Sequence, residues 1–136
     1  DCIDRRGRMA RVCRMTKFGA VKQTIDGITF ASTAEANRYS QLKLLERARE
    51  IKALGVHPAY PLSVNGVLIG KYTADFCYFE GGRQVTEDVK GLVTAEASLR
   101  MRVFMACYPQ HELRIVDRKG NWEKFKQRAV TERRAA

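Results

Sequence analysis

Two adjacent glycines, Gly81-Gly82, stand between the extended runs Lys71–Phe79 and Gln84–Lys90 and constrain this chain more than any other feature. A two-residue glycine loop suits a β-hairpin, because both positions can take the positive φ that matches the twist of the strands. With those glycines as the loop, Glu80 faces Arg83, Asp75 faces Asp88 and Thr73 faces Lys90. Directly opposed side chains have Cβ atoms about 4.5–5.5 Å apart. Two carboxylates that close repel each other, so something must compensate, and a divalent cation held by oxygen ligands would do so. The period of two puts Asp88 and Lys90 on one face, with Glu87 and Val89 on the other. The alternative is an exposed, salt-bridged hairpin face in which Lys90 neutralises one acid; a one-residue slip of register would also undo the pairing.

Around this hairpin the chain reads as one domain of 136 residues. Ile28–Phe30 is a short extended segment, and Ser32 with Glu35 three residues later is the pattern of a capping box. The spacing predicts a helix from about Thr33 to Leu54, with Leu44, Leu45, Ala48 and Ile51 in its apolar stripe and Gly55 as its stop. Asn65-Gly66 predicts a second hairpin between Tyr60–Val64 and Val67–Asp75. Thr94 is expected to cap a helix to about Cys107, followed by a strand at His111–Val116 and a basic helix at Trp122–Arg133. The expected order is α-β-β-β-α-β.

The net charge of +10 favours a polyanionic partner. That charge is concentrated at the ends: residues 1–24 hold seven basic and two acidic residues, and residues 117–136 hold seven and three. The stretch between them is nearly balanced, with eleven against ten. Basic arms track phosphates without reading sequence; solubilising tails are the plainer reading. The expected divisions are a basic extension over 1–15, a domain over 16–117 and a basic helix or arm over 118–136, with Asp1–Arg14 an extension, a processing remnant or an artefact. No run of 18 apolar residues is present, and Asp1–Met15 carries five arginines without an apolar segment, unlike a secretory signal. Cys2, Cys13, Cys77 and Cys107 form no CxxC pair, so neither zinc nor a disulfide scaffold is expected, and the chain reads as cytoplasmic.

Other residues carry weaker signals. Glu35 is either the reciprocal capping acid or, sharing a face with Tyr39 and Leu42, an additional ligand for the acidic cluster. Arg100 pairs with Glu96 at i, i+4 on the side shared with Leu99, Val103 and Cys107, or contacts a phosphate. Lys124, Lys126 and Arg128 are candidate phosphate contacts, as is Arg102 unless it is a surface charge. Trp122 is expected to dock the terminal helix, with stacking on a base as the alternative. His57, before Pro58, reads as a structural loop residue, and His111 has no assigned role.

Taken in order, Tyr72-Thr-Ala-Asp75-Phe and Glu87-Asp88-Val-Lys90-Gly91, preceded by Ser32-Thr-Ala-Glu35-Ala, resemble the PD-(D/E)xK nuclease superfamily. More narrowly, residues 16–116 are similar to small phage and prophage endonuclease-like proteins, whose blocks match at Phe30–Tyr39, Ala74–Tyr78 and Glu87–Gly91. Ala74 stands where the superfamily name has proline. The resemblance implies an α/β fold with a restriction-endonuclease-like αβββαβ core, its central mixed sheet flanked by helices. It also implies a DNA endonuclease using Mg²⁺ or Mn²⁺, with Asp75, Asp88 and Glu35 as metal ligands and Lys90 as the catalytic lysine. The expected setting is phage recombination, replication or packaging. The small size and short hairpin are also similar to dimeric phage and archaeal Holliday-junction resolvases, which adds a homodimer and branched DNA as expectations. No resolvase-specific motif is present, and the substrate structure stays open. The alternative is a basic nucleic-acid-binding module without turnover, although unneutralised acids beside bound phosphates would repel DNA. A membrane-binding role lacks the amphipathic basic helix it would need.

Overall fold

In the computed structural model the described residues are 21–128, together with the backbone of three two-residue strands, β1 (Cys2–Ile3), β2 (Met9–Ala10) and β3 (Arg14–Met15). The remainder of the expected N-terminal extension, and residues 129–136 of the C-terminal arm, lie outside the described residues. Then come β4 (Val21–Ile25), β5 (Ile28–Phe30), α1 (Thr33–Arg47), β6 (Lys52–Val56), β7 (Ala59–Val64), β8 (Val67–Thr73), β9 (Phe76–Glu80) and β10 (Arg83–Val89). The chain continues through α2 (Ala95–Cys107), β11 (His111–Val116) and β12 (Trp122–Lys124). The fold is mixed α/β. A five-stranded sheet runs β12-β11-β10-β9-β6, with β10 and β11 parallel and the other neighbours antiparallel.

Turn chemistry accounts for much of this layout. Asp26-Gly27, Asn65-Gly66 and Gly81-Gly82 each place two successive residues at positive φ and close a tight hairpin. The Gly81-Gly82 register is the expected one, from Arg83↔Glu80 to Glu87↔Phe76. A second regularity is longer. One register, from Gly55↔Cys77 to Leu62↔Gly70, runs through β6–β9 and on into β7–β8. Between the two halves the ladder is carried by His57 N–H donating to the Asp75 carbonyl at 2.9 Å and Ala74 N–H donating to the Pro58 carbonyl at 3.0 Å. The two hairpin arms are thus one bent ribbon, with its bend at His57-Pro58 and Ala74-Asp75.

Each face of the sheet has its own core. On one side Ala36, Tyr39 and Leu42 of α1 pack with Phe30, Ile51, Phe76, Tyr78 and Val85. On the other, Met101, Phe104 and Met105 of α2 pack with Leu62 and Tyr72 of the ribbon and Leu113 of β11. The central strand β10 is covered on both sides, and four consecutive residues, Val85–Asp88, are buried.

Several expectations are corrected. The first helix stops at Arg47 rather than near Leu54. Leu44 is 64% exposed and Ala48 is also exposed, so neither belongs to the apolar stripe. Arg49 takes a left-handed φ of 61°, Ile51 turns into the core, and Lys52–Val56 becomes a strand pairing the free edge of β9. Gly55 is a close approach between strands rather than a helix stop, since a Cβ there would lie 2.7 Å from Cys77 Sγ. Five strands, not three, therefore separate the helices, and the expected run Lys71–Phe79 is divided at the ribbon bend. The expected basic helix at Trp122–Arg133 begins instead as β12, antiparallel to β11, and residues 125–128 are irregular. The Trp122 ring stacks on the Arg114 guanidinium at 3.9 Å, and among the described residues no terminal helix follows it.

Candidate functional site

The ribbon bend and the end of β10 come together at one point. Asp75 sits just before β9, and its N–H donates to the Glu87 carbonyl at 3.1 Å, extending the β9–β10 ladder by one step. Its carboxylate Oδ2 accepts from the Val89 N–H at 2.7 Å. Asp88 is buried and accepts from the Tyr72 hydroxyl at 2.6 Å through Oδ2, while Oδ1 lies 3.4 Å from Lys90 Nζ. Lys90 N–H donates to the Val116 carbonyl at 2.9 Å, which ties the residue to the end of β11. Asp75, Asp88 and Lys90 are thus gathered as the hairpin register predicts.

Glu35 joins them from α1, which covers the opposite face of the sheet. Ser32 Oγ caps the helix by accepting from Glu35 N–H at 3.2 Å. The Glu35 carboxylate accepts from Ala31 N–H at 3.3 Å rather than from Ser32, a one-residue variant of the expected capping contact. Burial raises the Glu35 pKa, opposed by the Ala31 bond and by His57. The four donors of this corner are Glu35, Asp75, Asp88 and an unexpected one, His57. Donor atoms of Glu35, His57 and Asp75 lie within 4.8 Å of one another. His57 is therefore not merely a loop residue: the pairing Val56↔Phe76 sets it opposite Asp75. That signal was hidden because Lys52–Leu54 reads as helix.

The electrostatics of the corner are unbalanced. Asp75 is pushed up to about 8, first by burial and then by the Asp88 and Glu35 carboxylates, against the lowering effect of the Val89 N–H. Burial and the Asp88 carboxylate also hold the Tyr72 phenol well above its ordinary range, so it remains a neutral donor. The Glu35 and Asp75 carboxylates and the His57 imidazole could hold a divalent cation, with Asp88 and its Lys90 partner beside them.

A cleft of about 180 Å³ opens beside Asp88 and Lys90, lined also by Tyr72, Thr73, Thr94 and Arg100. Thr94 Oγ1 caps α2 by accepting from Ala97 N–H at 3.1 Å, so the positive end of that helix borders the cleft. Arg100 makes the intrahelical pair with Glu96 at 3.2 Å and also lines the cleft. Leu99, on the side of α2 read as shared with Val103 and Cys107, is 61% exposed. Arg102, Lys124, Lys126 and Arg128 are exposed and are not among the cleft-lining residues. Lys124 instead lies 3.7 Å from Glu112.

Sequence reasoning also missed the far side of β10. Glu87 is fully buried and receives both Arg38 Nε at 2.6 Å and Arg38 Nη2 at 2.7 Å, together with a short bond from the Tyr78 hydroxyl. Arg114 donates to that hydroxyl at 3.1 Å and pairs with Glu112 and Glu80. His111 is buried against Tyr60, Phe104 and Tyr108, with Nδ1 3.0 Å from Thr86 Oγ1, and burial lowers its pKa. Among the described residues no helix is long and apolar enough to cross a membrane.

Compared with known families, residues 15–124 match the one described as Protein of unknown function (DUF1064). No curated protein and no solved structure matches the chain.

Proposed function

The chain belongs to this family, whose description leaves its activity open, and from that premise we propose that it is a metal-dependent endonuclease hydrolysing DNA phosphodiester bonds. The observation that carries the reading is the apposition of Asp75 and Asp88 beside Lys90, with Asp75 pushed up to about 8 by burial and then by its acidic neighbours. Supporting a restriction-endonuclease-like core is the succession of α1, the acid-bearing β9–β10 hairpin, α2 and a β11 parallel to β10.

Asp75 and Asp88, with Glu35, would hold Mg²⁺ or Mn²⁺. When bound, such an ion polarises the phosphate and makes a water molecule more acidic. The chain's own groups do the rest. Lys90, only partly exposed, presents its ammonium to the cleft, where it orients the attacking water and stabilises charge building on the phosphoryl oxygens. Arg100 and the α2 N-terminus bind the flanking phosphate, and Tyr72 holds the Asp88 carboxylate in one orientation. The basic arms add affinity without sequence preference.

The test is cleavage of duplex, single-stranded, flap and four-way-junction DNA with Mg²⁺, Mn²⁺ or EDTA. Cleavage in metal, falling by about 10³-fold in Asp88→Ala and Lys90→Ala, is the expected result. DNA binding without cleavage of any substrate would replace the enzyme by a binding module. Full activity in both variants would remove the site assignment. Junction cleavage, with a dimer in solution, would extend the reading to a branched-DNA resolvase.

A further inference from the structure

Resting on the metal-dependent reading above, we propose that His57 is a direct ligand of the cation, so that the site selects a transition-series ion such as Mn²⁺ over Mg²⁺. The imidazole lies at the ribbon bend, where its backbone N–H is tied to the Asp75 carbonyl. Its donor atom is within 4.8 Å of those of Glu35 and Asp75. Among the described residues neither ring nitrogen has a hydrogen-bond partner, and the ring lies near Phe30, at 5.9 Å between centroids. A histidine held against two carboxylates with both nitrogens uncommitted is a donor available for coordination.

The choice of ion follows from ligand chemistry. Mg²⁺ takes oxygen ligands in near-octahedral geometry and dehydrates reluctantly. Imidazole nitrogen is a softer donor that suits first-row transition ions. An all-oxygen set of Asp75, Asp88 and Glu35 would not discriminate in this way; one added nitrogen does. His57 also takes a left-handed φ of 52°, which asparagine tolerates better than most residues. His57→Asn therefore replaces the nitrogen donor by an amide oxygen with little backbone penalty, and the exposed position makes folding insensitive to the change.

The experiment is pulsed electron paramagnetic resonance of Mn²⁺ bound to the full chain, alongside calorimetric Mn²⁺ and Mg²⁺ titrations of wild type, His57→Asn and Asp75→Asn. The expected result is a histidine ¹⁴N coupling in wild type that disappears in His57→Asn. Mn²⁺ affinity should fall by about tenfold in that variant and Mg²⁺ affinity by less than about twofold. Mn²⁺ binding that Asp75→Asn weakens but that carries no nitrogen coupling in wild type would overturn the role of His57 and leave the metal site standing. A coupling that persists in His57→Asn would overturn it equally, by pointing to another nitrogen. No Mn²⁺ binding, or binding indifferent to Asp75→Asn, would remove the metal-site reading itself and this inference with it.

Discussion

Glu87 and Asp88 are neighbours on one strand, both buried, yet they point into opposite environments. On the α1 side, Glu87 meets a guanidinium in fork geometry and a phenol, so its oxygens are matched by donors. On the α2 side, Asp88 meets one phenol and one lysine, with Asp75 beside it and Glu35 near. The first arrangement is complete without help. The second has an excess of acid held together by the backbone, which is the signature of a site kept for function at some cost to stability.

The largest expected effect comes from breaking the complete side. Arg38→Ala leaves Glu87 buried without its cation and should cost about 3–5 kcal/mol, read as the shift in urea or thermal unfolding. A loss under about 1 kcal/mol would mean that water or another group already serves Glu87.

The unbalanced side should respond in the opposite direction. Asp75 has a folded pKa of about 8, above that of an unfolded aspartate near 3.8. Its contribution to stability is therefore fully present below about pH 4 and is lost as the pH rises through about 8. In EDTA at pH 8, Asp75→Asn should raise the melting temperature by about 3–6 °C, and with metal present the same variant should lose cleavage; below about pH 4 the stability gain should vanish. A variant that melts lower than wild type at pH 8 would show that the carboxylates are not in conflict.

The smallest effect sharpens the contrast. Tyr72→Phe removes one donor from Asp88 and should cost about 1.5 kcal/mol, with cleavage reduced by about tenfold. A variant with wild-type stability and activity would mean that Tyr72 does not orient the acid.

What could be read in advance follows physical lines. The Gly81-Gly82 register, the Asn65-Gly66 turn, the Thr94 cap and the strand at His111–Val116 are set by local backbone chemistry, and each stands where the residues alone put it. The end of α1 is a tertiary matter. Its apolar spacing runs on past Arg47, and only the open edge of β9 makes Lys52–Val56 a strand. Likewise Trp122–Lys124 reads as the start of a helix, but the edge of β11 and the Arg114 guanidinium draw it into the sheet. His57 was illegible for the same reason as β6, because its role depends on a pairing the helix pattern concealed. Arg38 and Glu87 carry no local signal at all: they are 49 residues apart in sequence and meet only across the α1–β10 contact.

The most direct measurement is a calorimetric Mn²⁺ titration at pH 7 in buffers of different ionisation enthalpy, which counts the protons released per ion bound. With Asp75 at about 8, the corner holds a proton that a cation must displace, so release of close to one proton is expected in wild type and none in Asp75→Asn. Absence of binding, or binding without proton release in wild type, would contradict the view that these opposed acids are built to share a metal ion.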